Sequence, residues 1–411
     1  MRADIDRLME ERGVDCIFVR AAETEDTDRQ YLTRGIHANA TVVKKRGEDP
    51  ILIVSGMEID EAKKSGYPVM NMFDFDLANI WREHAGDGMA IQREFFRAII
   101  EKLDIHGRVA FYGTAPVMST FKFTKMVQEH FSDRIELFED EDVTILTHAR
   151  RSKDEEELAL LRESGRRASL AMTRTREWLS TLHTDGEIVV DAENKPVTIG
   201  DVKRYVRLRL MELDMEDSEG MIFAMGRDAG VPHSRGEADQ VLKTGQTIVF
   251  DLFPRPIGGG YYHDMTRTWS LGYATPEVQA AYDLVMHAFT QSLEALTLGK
   301  PTNTLQHLVC DIFEAYGHPT SRSQPATSSG YTHSLGHGIG LDVHEAPNMS
   351  HLTPDHVVFQ VGDVLTIEPG LYYPEKGWGI RVEDTVYLHE SGQVENLTDC
   401  SYELVIPLNE K

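Results

Sequence analysis

The sequence predicts two domains: an α/β domain over residues 1–148, and a larger α+β domain over 149–411 built from two equivalent halves. Three observations carry this. The chain has 411 residues, too many for one ordinary core. Its first third alternates short apolar runs with helix-like stretches. Beyond that, one arrangement of glycine, apolar strand and carboxylates occurs twice.

In the first domain, Asp4 to Arg12 has the spacing of a short helix. Runs of strand length follow at CIFVR (16–20), ATVVKK (40–45), PILIVSG (50–56) and RVAFYG (108–113). EIDEAKKSG (58–66) and QREFFRAIIEKL (92–103) read as helices between them. No catalytic cluster is visible in this region. The boundary falls near ARRSKDEEELALLRES, where Ser152 followed by Glu155 fits a capping box. Leu158, Leu161, Ala168 and Met172 then recur at helical spacing, so a long helix opens the second domain. A further helix begins at Thr275-Pro276, with Thr as N-cap and Pro at the first helical position, and stops before Gly299. Another runs from about Thr302 to Tyr316 with Gly317 closing it. Residues 181–199, TLHTDGEIVVDAENKPVTI, read as an insertion or a remodelled hairpin.

Composition narrows the function classes. The formal charge is -25, from 42 basic and 67 acidic residues, which argues against a nucleic-acid or anionic-membrane partner. Cys16, Cys310 and Cys400 are odd in number and show no paired spacing, so a reducing, cytoplasmic compartment is expected. The N-terminal MRADIDRLMEERG lacks the apolar core of a signal peptide, and no apolar run reaches membrane-spanning length.

The repeated pattern is the strongest signal. GQTIVFD (245–251) and GDVLTIE (362–368) both place a glycine six positions before an acid, with an apolar strand between. Each is followed by a second acid with threonine two residues on: Asp264 with Thr266, and Glu383 with Thr385. The intervening segments contain the Gly and Pro of hairpins or looped strand pairs. A single acid at a strand end is more often solvated, and two duplicated surface hairpins would also give this pattern. If the halves face each other, however, four carboxylates converge and repel. Divalent cations relieve that repulsion. Oxygen-rich ligation suits Mn²⁺, Co²⁺ or Zn²⁺, and four carboxylates are more than one ion needs.

YTHSLGHGIGLDVHEAP (331–347) adds His333, His337 and His344 in a glycine-rich frame that permits close backbone approach. One strand histidine is usually a hydrogen-bonded core residue; three within twelve residues are not readily read that way. His233, in GVPHSRG, is the weaker candidate and by itself reads as a loop histidine.

Together these segments resemble the pita-bread metallopeptidases, which include methionine aminopeptidase, aminopeptidase P and prolidase. IVFDLF, HDMTRTW, HSLGHGIGLDVHE, TIEPGLY and GIRVEDT occur in the family's order, and the resemblance covers essentially the whole chain. It implies a creatinase-like N-terminal α/β domain followed by an α+β pita-bread catalytic domain with pseudo-twofold halves. It also implies two divalent metal ions, Mn²⁺ or Co²⁺ ahead of Zn²⁺. Carried over by position, Asp251 holds one ion, His337 and Glu368 the other, and Asp264 and Glu383 bridge them. All five positions keep the family's residue type, whereas creatinase, a relative on this fold, has lost the metal ligands. Glu368 would also be the general acid/base. His233, His333 and His344 would position substrate and stabilise charge on the scissile carbonyl oxygen, and Arg381 would orient the carboxylates.

His333, four residues before His337, and the N-terminal domain point to the proline-specific branch. The expected activity is hydrolysis of Xaa-Pro bonds, as an Xaa-Pro dipeptidase (prolidase) or, alternatively, as aminopeptidase P acting on longer peptides. The expected partners are a small peptide with proline in second position and a second copy of the chain in a homodimer. The Asp251–Asp264 loop is slightly longer than is usual for prolidases. Two readings of another class stand beside these: a metal-dependent hydrolase or lyase of a non-peptide substrate, and a non-catalytic binding protein on the same fold.

Overall fold

The computed structural model describes residues 2–20, 25–140 and 143–409. Its contacts divide into two units, Met1–Arg150 with Gly258–Gly260, and Arg151–Ile257 with Tyr261–Lys411.

The first unit is a six-stranded sheet flanked by helices. Its strands are β1 (Cys16–Val19), β2 (Thr41–Lys45), β3 (Ile51–Val54), β4 (Val69–Asn71), β5 (Gly107–Tyr112) and β6 (Ile135–Leu137), in the order β4-β3-β2-β1-β5-β6. The apolar runs of the sequence become β1, β2, β3 and β5. Phe18, Val43, Phe96, Ile99, Val109 and Phe123 pack in the core. The three-residue strands β4 and β6 are too short to show a period. EIDEAKKSG is mostly not α-helix: one turn, Ile59–Ala62, tightens into a 3-10 turn at Lys63–Ser65 and ends at Gly66, φ +77°. The helix read at 92–103 is longer, Gly88–Lys102, because the Asp87 side chain accepts from the Met89 and Ala90 amides and starts it earlier.

The second unit opens with α1 (Glu155–Ser180). Its capping box is Asp154 with Glu157, not Ser152 with Glu155. Each of these two side chains accepts from the other residue's amide, at 2.9 and 3.0 Å. Ser152 is instead held in an isolated β-bridge to Asp363, which keeps it out of the capping position. Residues His183–Asp185 and Ile188–Val190 pair as an antiparallel hairpin, and α2 (Ile199–Met211) follows.

Two similar layers make up the rest. In the first, α1 and α2 cover a sheet of β7 (Ile222–Met225), β8 (Thr247–Leu252) and β9 (Met265–Leu271), edged by the two-residue strand Val405–Ile406 parallel to β9, with Met172, Val206, Phe223, Phe250 and Trp269 between. In the second, α3 (Pro276–Ala295) and α4 (Asn303–Ala315) cover a sheet of β10 (His337–Gly338), β11 (Glu345–Asn348), β12 (Val364–Ile367) and, beyond the hairpin of β13 (Gly370–Tyr373) and β14 (Trp378–Arg381), β15 (Asp384–Leu388), edged by the strand Val394–Asn396. Val285, Phe289, Val309, Phe313, Leu365 and Val386 fill that core. As the sequence indicates, Thr275 caps α3 through the Val278 amide, and Gly317, φ +82°, follows α4. This is the pita-bread arrangement, an α/β domain followed by two pseudo-equivalent helix-pair-on-sheet halves. Among the described residues, no helix is long and apolar enough to cross a membrane.

Candidate active site

The carboxylates come together because the two half-sheets are sewn edge to edge. Within the first half, β8 and β9 pair antiparallel, with Asp251 opposite Thr266. In the second, β12 pairs with β15 (Ile367 opposite Asp384), and β13 pairs with β14 in the same register (Gly370 opposite Arg381). Glu368 and Glu383 occupy the gap between those ladders, where the Glu368 amide turns away to the Leu335 carbonyl at 2.8 Å. A bridge between Thr266 and Glu383 joins the halves, with amide-to-carbonyl distances of 3.3 and 3.1 Å. Arg267 locks this joint from behind. It donates to the Thr266 and Glu383 carbonyls at 3.0 and 2.9 Å and is buried against Asp384.

All nine candidate side chains line one cavity of about 580 Å³: His233, Asp251, Asp264, His333, His337, His344, Glu368, Arg381 and Glu383. They are not equally deep. Asp251, Asp264, His337, Arg381 and Glu383 are buried, whereas Glu368 and His333 are half-buried and His233 and His344 are exposed.

Arg381 organises the deep end. Its Nη2 donates to Asp251 Oδ2 at 2.6 Å, its Nε to Thr266 Oγ1 at 3.1 Å, and its Nη1 to the Tyr372 hydroxyl at 2.9 Å and the Pro232 carbonyl at 3.3 Å. Thr266 passes the contact on, donating from Oγ1 to Glu383 Oε2 at 2.7 Å. Tyr372 shares its hydroxyl with His333 Nε2 at 2.8 Å. One cation among four acids leaves much charge uncompensated. Burial first, then the charge of Glu383, raises the Asp264 carboxyl well above its ordinary range, and the same two causes raise Glu368. Burial and Asp251 push Glu383 up to about 8. Burial holds the imidazoles neutral, His337 down to about 4 and His333 down to about 3.

The histidine segment fits because its glycines have no side chains. A Cβ on Gly336 would lie 2.0 Å from the Thr366 carbonyl oxygen, and one on Gly338 would lie 2.0 Å from that of Ala346. These close approaches carry His337 to the carboxylates. Its Nδ1 lies 3.0 Å from the Gly338 carbonyl, which leaves Nε2 facing inward, 3.8 Å from Asp264 Oδ2 and 3.7 Å from Glu368 Oε1. The His344 ring packs edge-on against it, with centroids 4.4 Å apart.

These residues suit a divalent cation. Asp264, His337 and Glu383 each offer a ligand atom, and the three atoms lie within 4.8 Å of one another. Asp251 Oδ1 and Asp264 Oδ1 are buried and accept no hydrogen bond. Such orphaned carboxylate oxygens are costly unless a cation meets them. An inward Nε2 with Nδ1 tied to a carbonyl is the geometry of a ligating histidine.

The sequence pattern of metallopeptidase family M24 matches residues 159–390, which include every candidate residue. The chain belongs to that family. An Xaa-Pro dipeptidase of Pyrococcus furiosus is 31% identical over 247 residues, 57% of this chain and 66% of the relative. An Xaa-Pro dipeptidase from Bacillus anthracis shares the fold with a TM-score of 0.75 at 22% identity, covering 98% of this chain and 99% of the other. An X-Pro aminopeptidase from Thermotoga maritima does so with a TM-score of 0.74 at 22% identity, covering 97% and 100%. M24 membership makes this a metallopeptidase whose site takes divalent metal ions.

Residues to which the sequence assigns no role also contact the candidate side chains or their neighbours. Thr266 was visible as part of the repeated pattern, and its hydroxyl couples Arg381 to Glu383. Tyr372 sits in the apolar-looking GLYY, where only strand register reveals that its side chain faces Arg381. Glu345 lies in the histidine motif itself, and Lys153, its ion-pair partner, lies in the segment before α1.

Proposed function

We propose that this chain hydrolyses Xaa-Pro dipeptides with two divalent ions, Mn²⁺ or Co²⁺ ahead of Zn²⁺, held by Asp251, Asp264, His337, Glu368 and Glu383. The observation that carries the reading is the convergence of these five side chains on one cavity with two buried carboxylate oxygens unpaired. Bound there, divalent ions polarise a carbonyl oxygen and lower the pKa of water to about 7. Glu368, which lines the cavity, takes the proton of the attacking water and delivers it to the departing proline nitrogen. That nitrogen belongs to a tertiary amide without N–H, so no residue is needed to accept from it. His344 hydrogen-bonds the carbonyl oxygen as charge develops on it. His233 and His333 orient the peptide, and Arg381 keeps Asp251 and Thr266 in place.

One feature supports a dipeptide over a longer peptide. Of the two cations lining the cavity, Arg381 has committed all three nitrogens. Arg235 has not. Its Nη2 donates to the Glu219 carbonyl at 2.7 Å, and among the described residues no carboxylate pairs with it. Gly220 leaves space for this guanidinium, since a Cβ there would lie 2.9 Å from Nη1. A free C-terminal carboxylate on proline is the complement of that unpaired fork. Ile222, Phe253 and Val343 offer an apolar wall to the proline ring.

The reading includes a homodimer in the cytoplasm; the free thiols Cys16, Cys310 and Cys400 support a reducing compartment. The test is release of free proline from an Xaa-Pro dipeptide, compared with cleavage of Xaa-Pro-Yaa tripeptides, by chelated enzyme reloaded with Mn²⁺, Co²⁺ or Zn²⁺. Metal-restored cleavage of dipeptides alone supports the proposal. Cleavage of the tripeptides alone makes the chain an aminopeptidase P, and cleavage of neither by metal-loaded protein overturns the peptide reading.

A further inference from the structure

The turn from β10 to β11 carries His344, and its shape depends on a buried ion pair outside the carboxylate cluster. Glu345 folds back beneath the turn. Its Oε1 accepts from the Leu341 and Asp342 amides at 3.1 and 3.3 Å, and its Oε2 accepts from Lys153 Nζ at 2.9 Å. The two side chains are 2% and 1% exposed. Lys153 is fixed in turn by the Arg151 carbonyl, at 3.2 Å from Nζ, and by its own amide, which donates to the Gly362 carbonyl at 2.9 Å. Gly340 makes the fold-back feasible, because a Cβ there would lie 2.4 Å from Glu345 Oε2. The Tyr262 amide, two residues before Asp264, donates to the Gly340 carbonyl at 2.8 Å and ties the same turn to the first half.

Sealing two charges from water is expensive, and an apolar pair would fill the volume without that cost. An apolar pair could not hold the two amides on one side of the turn or anchor it to the segment before α1. His344 itself is exposed and immediately precedes Glu345. Its own contacts include the ring of His337, and its backbone lies between the two amides that Glu345 Oε1 holds and Glu345 itself. A misplacement of about 1 Å caused by a change away from the chemistry can lower the rate by up to about 100-fold.

We propose that Lys153 and Glu345 are positioning residues for His344: their ion pair fixes the turn that presents the His344 ring to the scissile carbonyl. The proposal rests on the reading of His344 as the group beside that oxygen. A Lys153→Met chain keeps the volume but releases the clamp, and Lys153→Arg restores a cation. Lys153→Met with Glu345→Leu replaces the pair by apolar side chains, for use if the single variant fails to fold.

The experiment measures kcat and KM of the full, Mn²⁺-loaded chain on an Xaa-Pro dipeptide, with bound metal counted, for His344→Ala, Lys153→Met and both together. Expected is a kcat loss of about tenfold or more for each single variant, little change in KM or metal content, partial recovery in Lys153→Arg, and a double variant no slower than His344→Ala. Losses that multiply in the double variant, or a wild-type kcat in a folded Lys153→Met chain, overturn the proposal. If His344→Ala leaves kcat unchanged, the assignment of His344 falls and the proposal with it. Should the wild-type chain cleave no Xaa-Pro peptide, the proposed activity is wrong but the clamp is still tested by imidazole nitrogen shifts. Lys153→Met is expected to move the His344 signals and leave those of His233; unmoved His344 signals overturn the clamp.

Discussion

Arg381 reaches Asp251 from the opposite half of the catalytic unit, with 2.6 Å between Nη2 and Oδ2. Asp251 is on β8 and Arg381 on β14, so the contact spans the pseudo-twofold joint. It uses one oxygen of Asp251 and leaves Oδ1 buried without a partner. A single guanidinium thereby orients one acid directly and a second, Glu383, through the Thr266 hydroxyl. The planar fork of arginine can make these contacts together; an ammonium cannot.

Replacing Arg381 tests that geometry. Arg381→Met leaves Asp251 buried beside acids with no cation, and breaking such a pair costs about 3–5 kcal/mol. The metal-free variant is expected to lose stability of that order in urea unfolding. The metal-loaded variant is expected to lose about 10–100-fold in kcat/KM. Arg381→Lys is expected to recover stability better than activity, because it restores charge without the fork. Equal rates for Arg381→Lys and wild type would contradict the orienting role.

The raised carboxyls make a prediction about pH. In the metal-free chain burial and the charge of Asp251 push the Glu383 carboxyl up to about 8 from an ordinary 4.5, and Asp264 and Glu368 are raised in the same direction. The folded state therefore holds protons that the unfolded state has released. Their contribution to stability is fully present below 4.5 and is lost as pH rises through about 8. His337 and His333, held down to about 4 and about 3 from 6.5, act oppositely, contributing above 6.5 and losing that contribution as pH falls. The trends oppose each other below 6.5; above it the acids act alone. The Tm of metal-free protein is expected to fall between pH 6.5 and 8. Added Mn²⁺ should raise it more at the upper end, since binding expels the held protons. A metal-free Tm that climbs across this interval would sink the account.

How much of this was legible beforehand follows from the kind of signal each residue carries. The apolar runs that lead to Asp251 and Glu368 each follow a glycine, Gly245 and Gly362, so linear pattern alone located them. The repeat identified Asp264 and Glu383 because its two copies keep nearly the same spacing. The glycine frame around His337 was visible as composition, but its purpose, access to the Thr366 and Ala346 carbonyls, appears only in three dimensions. Tyr372 and Lys153 were invisible as site residues. The first is one tyrosine in an apolar strand, and the second lies 192 positions from its partner Glu345. The capping box lies two residues beyond the Ser152–Glu155 pattern because both Ser152 and Asp154 can cap, and the bridge from Ser152 to Asp363 that decides between them is a long-range contact.

Thr266 offers a sharper test of the joint between the halves. It is fully buried, accepts from Arg381 and donates to Glu383. Thr266→Val preserves shape and strand propensity but removes the hydroxyl, leaving Arg381 Nε and one Glu383 oxygen unsatisfied. A loss of about 1–3 kcal/mol is expected in urea unfolding, with weaker binding of divalent ions in a competition titration. Thr266→Ser should restore both. Unchanged metal affinity in Thr266→Val would show that Glu383 needs no help from the hydroxyl.

Arg235 provides the test closest to substrate choice. Its backbone is pinned to β7, where the Phe223 amide donates to the Arg235 carbonyl at 3.4 Å, and its guanidinium is steadied by the Glu219 carbonyl. The charge is thus presented from a fixed base, and the side chain is exposed to the cavity rather than to a protein carboxylate. A charge-assisted hydrogen bond to a substrate carboxylate contributes about 1.5–3 kcal/mol, so its loss should raise KM by roughly 10–150-fold. Arg235→Met is therefore expected to raise KM for an Xaa-Pro dipeptide by that factor with kcat little changed. For the corresponding Xaa-Pro amide, which lacks the carboxylate, wild type and variant should behave alike. A variant impaired equally on acid and amide would mean that Arg235 supports the loop rather than the ligand. A wild-type enzyme that prefers the amide would remove the carboxylate subsite altogether and shift the assignment toward longer peptides.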